Sequence, residues 1–206
     1  MDWVEDWARR RPATLVLAVF FAAWYLLQLG VLHVYGDEVA LWWFYFEKPP
    51  NAVSPGMVFG PISHDMWTLT HITANISLLL VAGGFAEPYI GWKKVLFAVF
   101  GLGYLGTYVS NLTALIHLRW MVAGASGGIL ALWAYAGLRL RHKAYRFRDG
   151  VDLSREGIET FVAIVLLLGI FPFLFHELFL QPRPHSGHVL GLVLGCLYFG
   201  YEEYVK

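Results

Sequence analysis

ATLVLAVFFAAWYLLQLGVLHVY, residues 13–35, runs for 23 positions without a charged side chain. At 1.5 Å of rise per residue, a helix of that length covers about 35 Å, enough for the roughly 30 Å hydrocarbon core of a bilayer. The residues before it, with Arg9, Arg10, Arg11 and Pro12, are polar and basic. The run is longer than the apolar part of a signal peptide, and no clear small-residue cleavage site follows it, so it reads as a first spanning helix. Five further apolar stretches follow: 66–86, closed by Glu87 and Pro88, then 95–116, 120–138, 161–180 and 187–201. The last is short and glycine-rich, which suits a helix packed inside a bundle. Of the 206 residues, 58% are hydrophobic, 17% aromatic and only 15% charged, and the mean hydropathy is +0.55. A soluble domain of this size could not hide that much apolar surface, and the same composition excludes disorder. Zero net charge leaves no basic footprint for nucleic acid. Cys196 is the single cysteine, which excludes an intramolecular disulfide and a multi-cysteine metal site. The expected fold is all-α: one polytopic membrane domain over residues 1–206 with six transmembrane helices.

Charge asymmetry orients such a bundle. With a cytoplasmic N-terminus, the cytoplasmic segments carry Arg9, Arg10, Arg11, Lys93, Lys94, Arg139, Arg141, Lys143, Arg146, Arg148, Arg155 and Lys206, and the opposite segments carry Lys48, Arg119 and Arg183. That is 12 against 3, and it accounts for all 15 basic residues. Both termini are therefore expected in the cytoplasm. The segment 36–65 becomes an outer loop, too long for a simple connector. Its run Leu41-Trp42-Trp43-Phe44-Tyr45-Phe46 fits either an aromatic anchor at headgroup level or a half-inserted element.

Polar groups inside a span are costly and each needs a reason. The second stretch carries His71 and Asn75, four residues apart and so on one helix face. The fourth carries Ser126 within Gly124-Ala125-Ser126-Gly127-Gly128, and the sixth carries His188 within Gly187-His188-Val189-Leu190-Gly191. Counted as helix from Asp65, Trp120 and Arg183, all three sites lie about 7–9 Å below the outer surface. Gly124 and Gly128 on one helix, with Gly187, Gly191 and Gly195 on the other, form small-xxx-small patterns that let two backbones approach. Such an approach would bring Ser126 and His188 within hydrogen-bond reach. His188 would then accept the proton of Ser126 and later protonate a leaving amine, while His71, Asn75 and the Ser126 N–H would bind an oxyanion. Asp65 and Glu177 lie near the outer rim, but neither has the spacing of a third catalytic member, so a dyad is the better reading. Each signal alone also fits helix packing, and their agreement in depth and face is what favours chemistry.

Together these motifs resemble the rhomboid family of intramembrane serine proteases, in its basic six-helix form. His71-Ile72-Thr73-Ala74-Asn75 begins a run that reaches Gly83 and Glu87, Gly124-Ala125-Ser126-Gly127 matches the family's G-x-S-G, and His188, Gly191 and Gly195 match its H-x-x-G-x-x-x-G. The resemblance implies Ser126 as nucleophile, His188 as base, and His71 with Asn75 as the oxyanion site. It also implies substrates that are transmembrane segments of other proteins, cut near their outer end, in a prokaryotic plasma membrane, with no cofactor or metal. Two departures stand out. No Trp-Arg pair occurs between Gly36 and Asp65, and Leu130 replaces an aromatic that often packs on the base. His185 is either a polar neighbour for that base or part of the exposed cap loop, the commoner place for such a residue. Pro172 can kink the fifth helix, and Phe171 and Phe173 beside it are expected either to seal a lateral gate under a cap at 181–185 or simply to face lipid as bulky aromatics, the commoner role. Other classes fit less well. His176-Glu177-Leu178-Phe179-Leu180 starts a zinc-protease motif but lacks its second histidine, and no Asp lies in the spans for an aspartyl protease. A catalytically silent relative or a small transporter would keep the bundle without the chemistry.

Overall fold

The computed structural model describes residues 2–47, 53–113, 121–122, 124–141, 155–180 and 186–205. Its helices are α1 (Asp2–Arg9), α2 (Pro12–Phe44), α3 (Gly56–Phe59), α4 (Leu69–Ile90), α5 (Trp92–Leu96) and α6 (Gly103–Thr113), then α7 (Ser126–Arg139), α8 (Arg155–Phe175) and α9 (Ser186–Tyr204). A π-helical turn, Phe97–Leu102, joins α5 to α6, and a second, His176–Leu180, prolongs α8. Two two-residue strands, β1 (Phe46–Glu47) and β2 (Met121–Val122), pair antiparallel with Phe46 opposite Val122. Three of the described helices are long and apolar enough to cross a membrane: Pro12–Phe44, Leu69–Ile90 and Ile158–Leu180.

The first helix does not stop at residue 35. Gly36 sits at φ 81°, ψ 178°, a conformation open to glycine, and the helix resumes beyond this break to Phe44. The expected outer loop 36–65 is thus largely built structure. Its aromatic run splits by face: Trp42 and Trp43 are exposed, while Phe44 and Phe46 are buried. The tyrosines of α6 hold it down, since Tyr104 Oη donates to the Val58 carbonyl at 2.6 Å and Tyr108 Oη to the Met57 carbonyl at 2.8 Å.

Helix α4 passes through Glu87 and Pro88 instead of closing there. Pro88 has no N–H to donate to the Gly84 carbonyl one turn back. The Arg11 guanidinium supplies that bond from the start of α2, and it also donates to the Trp7 carbonyl at 2.8 Å. Glu87 is only 3% exposed, and it caps the neighbouring helix. Its carboxylate accepts the N–H groups of Ala13 and Thr14 at 2.9 and 2.8 Å and the Thr14 hydroxyl at 2.7 Å. Those amides are first-turn donors that a helix cannot satisfy internally, and a negative charge suits that end of the dipole.

The central element is α7, with α4, α6, the first π turn, α8 and α9 packed against it. Its residues are buried almost throughout from Gly127 to Gly137, as a helix enclosed on all sides requires. It begins at Ser126, six residues later than the expected start at Trp120, because 121–122 pair as a strand. The helical depth count to Ser126 therefore does not apply. The helix contacts differ in detail too. A β-carbon at Gly191 would overlap the Gly127 carbonyl, and one at Gly195 the Ala131 carbonyl. Gly127 and Ala131, rather than Gly124 and Gly128, are thus the small residues that α9 rides on. Gly128 faces the other way, against the Val99 carbonyl and Gly103. The third expected helix, 95–116, is helical over Trp92–Thr113, and its last residues lie outside those described. Helices expected at 161–180 and 187–201 run somewhat longer, from Arg155 and from Ser186 to Tyr204.

Candidate active site

Ser126 Oγ and His188 Nε2 lie 2.8 Å apart. The serine is the first residue of α7 and the histidine stands in the first turn of α9, so the close seating of Gly191 on Gly127 brings them together. Ser126 is a helix-start residue, and its own N–H is among the donors the helix leaves unused. That end carries the positive pole of the helix dipole. The chain enters it through Gly124, whose φ of 151° suits glycine alone, and the Gly124 N–H donates to the Gly60 carbonyl at 2.9 Å.

Gly124 also marks where two side chains converge. A β-carbon built there would stand 3.1 Å from Ser126 Oγ, 3.3 Å from His71 Cε1 and 3.6 Å from His71 Nε2. The bare glycine leaves room between the hydroxyl and the imidazole. His71 Nδ1 accepts the backbone N–H of Asp65 at 3.1 Å, which makes Nε2 the proton-bearing nitrogen of the neutral ring. The donor of His71 thus faces the serine side. One turn further along α4, Asn75 is 4% exposed, and its Nδ2 has no hydrogen-bond partner among the described residues. A buried amide donor left open is costly unless something uses it.

The carboxylate of Asp65 is engaged locally, accepting the Trp67 N–H and the Thr68 hydroxyl at 3.0 Å each. Its contribution to the site is its backbone N–H. The Glu177 side chain, His185 and the cap at 181–185 lie outside the described residues. The position left small by Leu130 is filled from another helix: the Phe173 ring lies 6.0 Å from the His188 ring, and edge-on to Trp133 at 5.6 Å. The expected pair of gate phenylalanines therefore divides. Phe171 is 78% exposed beside the exposed Pro172, while Phe173 turns inward toward His188. A helix places residues two apart on opposite faces, so the two rings have different surroundings.

Reading the sequence missed the Asp65 amide, the inward Phe173 and the entry turn through Gly60. Only the spacing of Phe173, on the other helix face from Phe171, could have signalled its role.

A predominantly helical fold with three candidate spans among the described residues, and a serine–histidine contact where two tightly packed helices begin, fits a membrane-embedded protein. The rhomboid-domain profile matches residues 58–202, more than two-thirds of the chain, and the chain belongs to the rhomboid family. That family consists generally of intramembrane serine proteases and includes inactive members. A comparison with curated proteins returns no match.

Proposed function

We propose that this chain is an intramembrane serine endopeptidase that cuts transmembrane segments of other membrane proteins near their outer end. The observation that carries the reading is the 2.8 Å contact between Ser126 Oγ and His188 Nε2. In the forward step His188 Nε2 takes the hydroxyl proton as Oγ attacks the scissile carbonyl carbon. The tetrahedral oxyanion then receives hydrogen bonds from His71 Nε2–H, Asn75 Nδ2–H and the Ser126 N–H. Collapse breaks the C–N bond, and His188 gives its proton to the leaving amine. Water, activated by the same base, hydrolyses the acyl-serine ester. No cofactor or metal takes part.

Six spans suit the bundle: α2, α4, α5 through α6, α7, α8 and α9. The 12-to-3 distribution of basic residues supports cytoplasmic termini, and a prokaryotic plasma membrane is the home we assign. The depth of the serine follows from helix length. The 14 residues of α7 span only about 21 Å, against a hydrocarbon core of roughly 30 Å. With its basic end at one face, its start lies roughly 9 Å short of the other, inside the membrane. Irregular backbone at that depth must be buried in protein or face water, which agrees with the Gly124–Gly60 bond.

Labelling of the purified full chain by a fluorophosphonate probe, in detergent and in bilayers, tests this reading. The wild type should label, Ser126→Ala should not, and Asn75→Ala should label about 10²- to 10³-fold more slowly. EDTA should change nothing. Correctly folded wild type that takes no label would sink the protease reading and leave a catalytically silent rhomboid-like binding protein or a small transporter.

Substrate entry is proposed to run past the outer half of α8. Its inner half is pinned, since Trp133 Nε1 donates to the Leu166 carbonyl at 2.8 Å and its ring covers Gly169. Around and beyond Pro172 the exposed Phe171, Phe175 and Phe179 face outward. Phe171→Ala should speed cleavage in bilayers, whereas Phe173→Ala should slow it by loosening His188. Equal or slower cleavage by Phe171→Ala removes the gate.

A further inference from the structure

Beside the oxyanion histidine lies a second imidazole that the reaction above does not use. His64 is fully buried, and neither of its ring nitrogens has a hydrogen-bond partner among the described residues. Its backbone is gripped on both sides by one side chain of α2. Gln28 Oε1 accepts the His64 N–H, and Gln28 Nε2 donates to the His64 carbonyl, each at 3.1 Å. Its ring stands edge-on to Phe21 at 5.4 Å and to Tyr25 at 6.5 Å, and its remaining aromatic neighbour is His71, 5.5 Å away at 59°. Gln28 is itself fully buried, so the whole assembly is enclosed by packed side chains.

An apolar ring would pack in this place without stranding two polar atoms. Their cost points to a use, and the neighbour that can benefit is His71. In the tetrahedral state the Nε2–H of His71 donates to a full negative charge and the ring becomes more positive. A neutral polar ring against it, in a low-dielectric wall, stabilises that state, whereas a charged one would oppose it. Burial, and then the His71 charge, push the His64 pKa down to about 3, so the ring stays neutral at ordinary pH.

We propose that His64 is a positioning residue for His71: held by Gln28 against α2, it fixes the His71 ring on the Asp65 amide and aims Nε2–H at the oxyanion. This rests on the protease reading above. The test is a double-substitution cycle on the full-length protein, reading kcat and KM for a transmembrane substrate, the rate of fluorophosphonate labelling, and the melting temperature. His64→Phe keeps a ring and removes the nitrogens. It should lower kcat about tenfold, leave KM within twofold, and leave the melting temperature unchanged or higher. In a His71→Ala background the same change should cost less than twofold. His64→Asn, which keeps a donor and an acceptor, should lose less than His64→Phe, and its own cycle against His71→Ala measures the coupling should the phenylalanine variant fail to fold. A kcat within twofold of wild type, or an equal loss in both backgrounds, overturns the proposal. Either result with an active wild type overturns this inference alone, whereas an unreactive wild type overturns the protease reading.

Discussion

His188→Ala is expected to lower turnover of a transmembrane substrate by about 10³-fold or more, a loss of at least about 4 kcal/mol of transition-state stabilisation. The reason lies in the 2.8 Å contact: removing Nε2 takes away the base in contact with the Ser126 hydroxyl, and a serine hydroxyl is a weak nucleophile at neutral pH. The structural cost should be small. His188 is half-buried at the end of α9, and the close contacts that seat this helix are made further along by Gly191 and Gly195. Turnover and fluorophosphonate labelling should therefore fall together while the melting temperature stays within a few degrees. A residual activity within tenfold of wild type would remove His188 from the proposed mechanism.

Gly191→Val should be nearly as damaging for a different reason. A β-carbon there meets the backbone carbonyl of Gly127, which cannot swing aside as a side chain would. Overpacking of this kind costs about 1–3 kcal/mol of stability. The larger effect is geometric, because Gly191 lies one turn from His188 and Gly127 follows Ser126. Pushing the helices apart by about 1 Å should cost roughly 10²-fold in kcat/KM. Gly200→Ala is the control on the same helix, since nothing stands within 4 Å of a β-carbon there. It should leave activity intact and stabilise the helix by about 0.4–1 kcal/mol. Equal activity in both variants would mean that the α7–α9 contact does not position the pair.

The residues now facing one another at Gly124 were legible in the sequence because each is a polar exception in an apolar stretch. The pairing of Ser126 with His188 was legible too, since closely spaced glycines demand a close neighbour, although the partners on α7 turned out to be Gly127 and Ala131. What could not be read was non-local. Residues 121–122 pair with 46–47, some 75 positions away, and that pairing, together with the turn at Gly124, delays the start of α7 to Ser126. Proline and glutamate at 87–88 look like a helix end by local rules. Arg11 and the free amides of α2 overrule those rules from the other end of the hairpin. The inward turn of Phe173 depended on which face of α8 meets Trp133, and composition does not encode that.

The capping of α2 by Glu87 has a consequence in time. The carboxylate lies 73 residues downstream of Thr14, so at 5–20 residues per second it is synthesised roughly 4–15 s after the helix it completes. Until then the first apolar helix carries two amides that nothing in its own sequence satisfies, and Pro88 likewise awaits the Arg11 already made. Neither helix is finished alone. The hairpin of α2 and α4 is the smallest portion of the nascent chain in which these groups are all answered, and assembly during translation should proceed from that hairpin, with the serine helix arriving into a wall already standing.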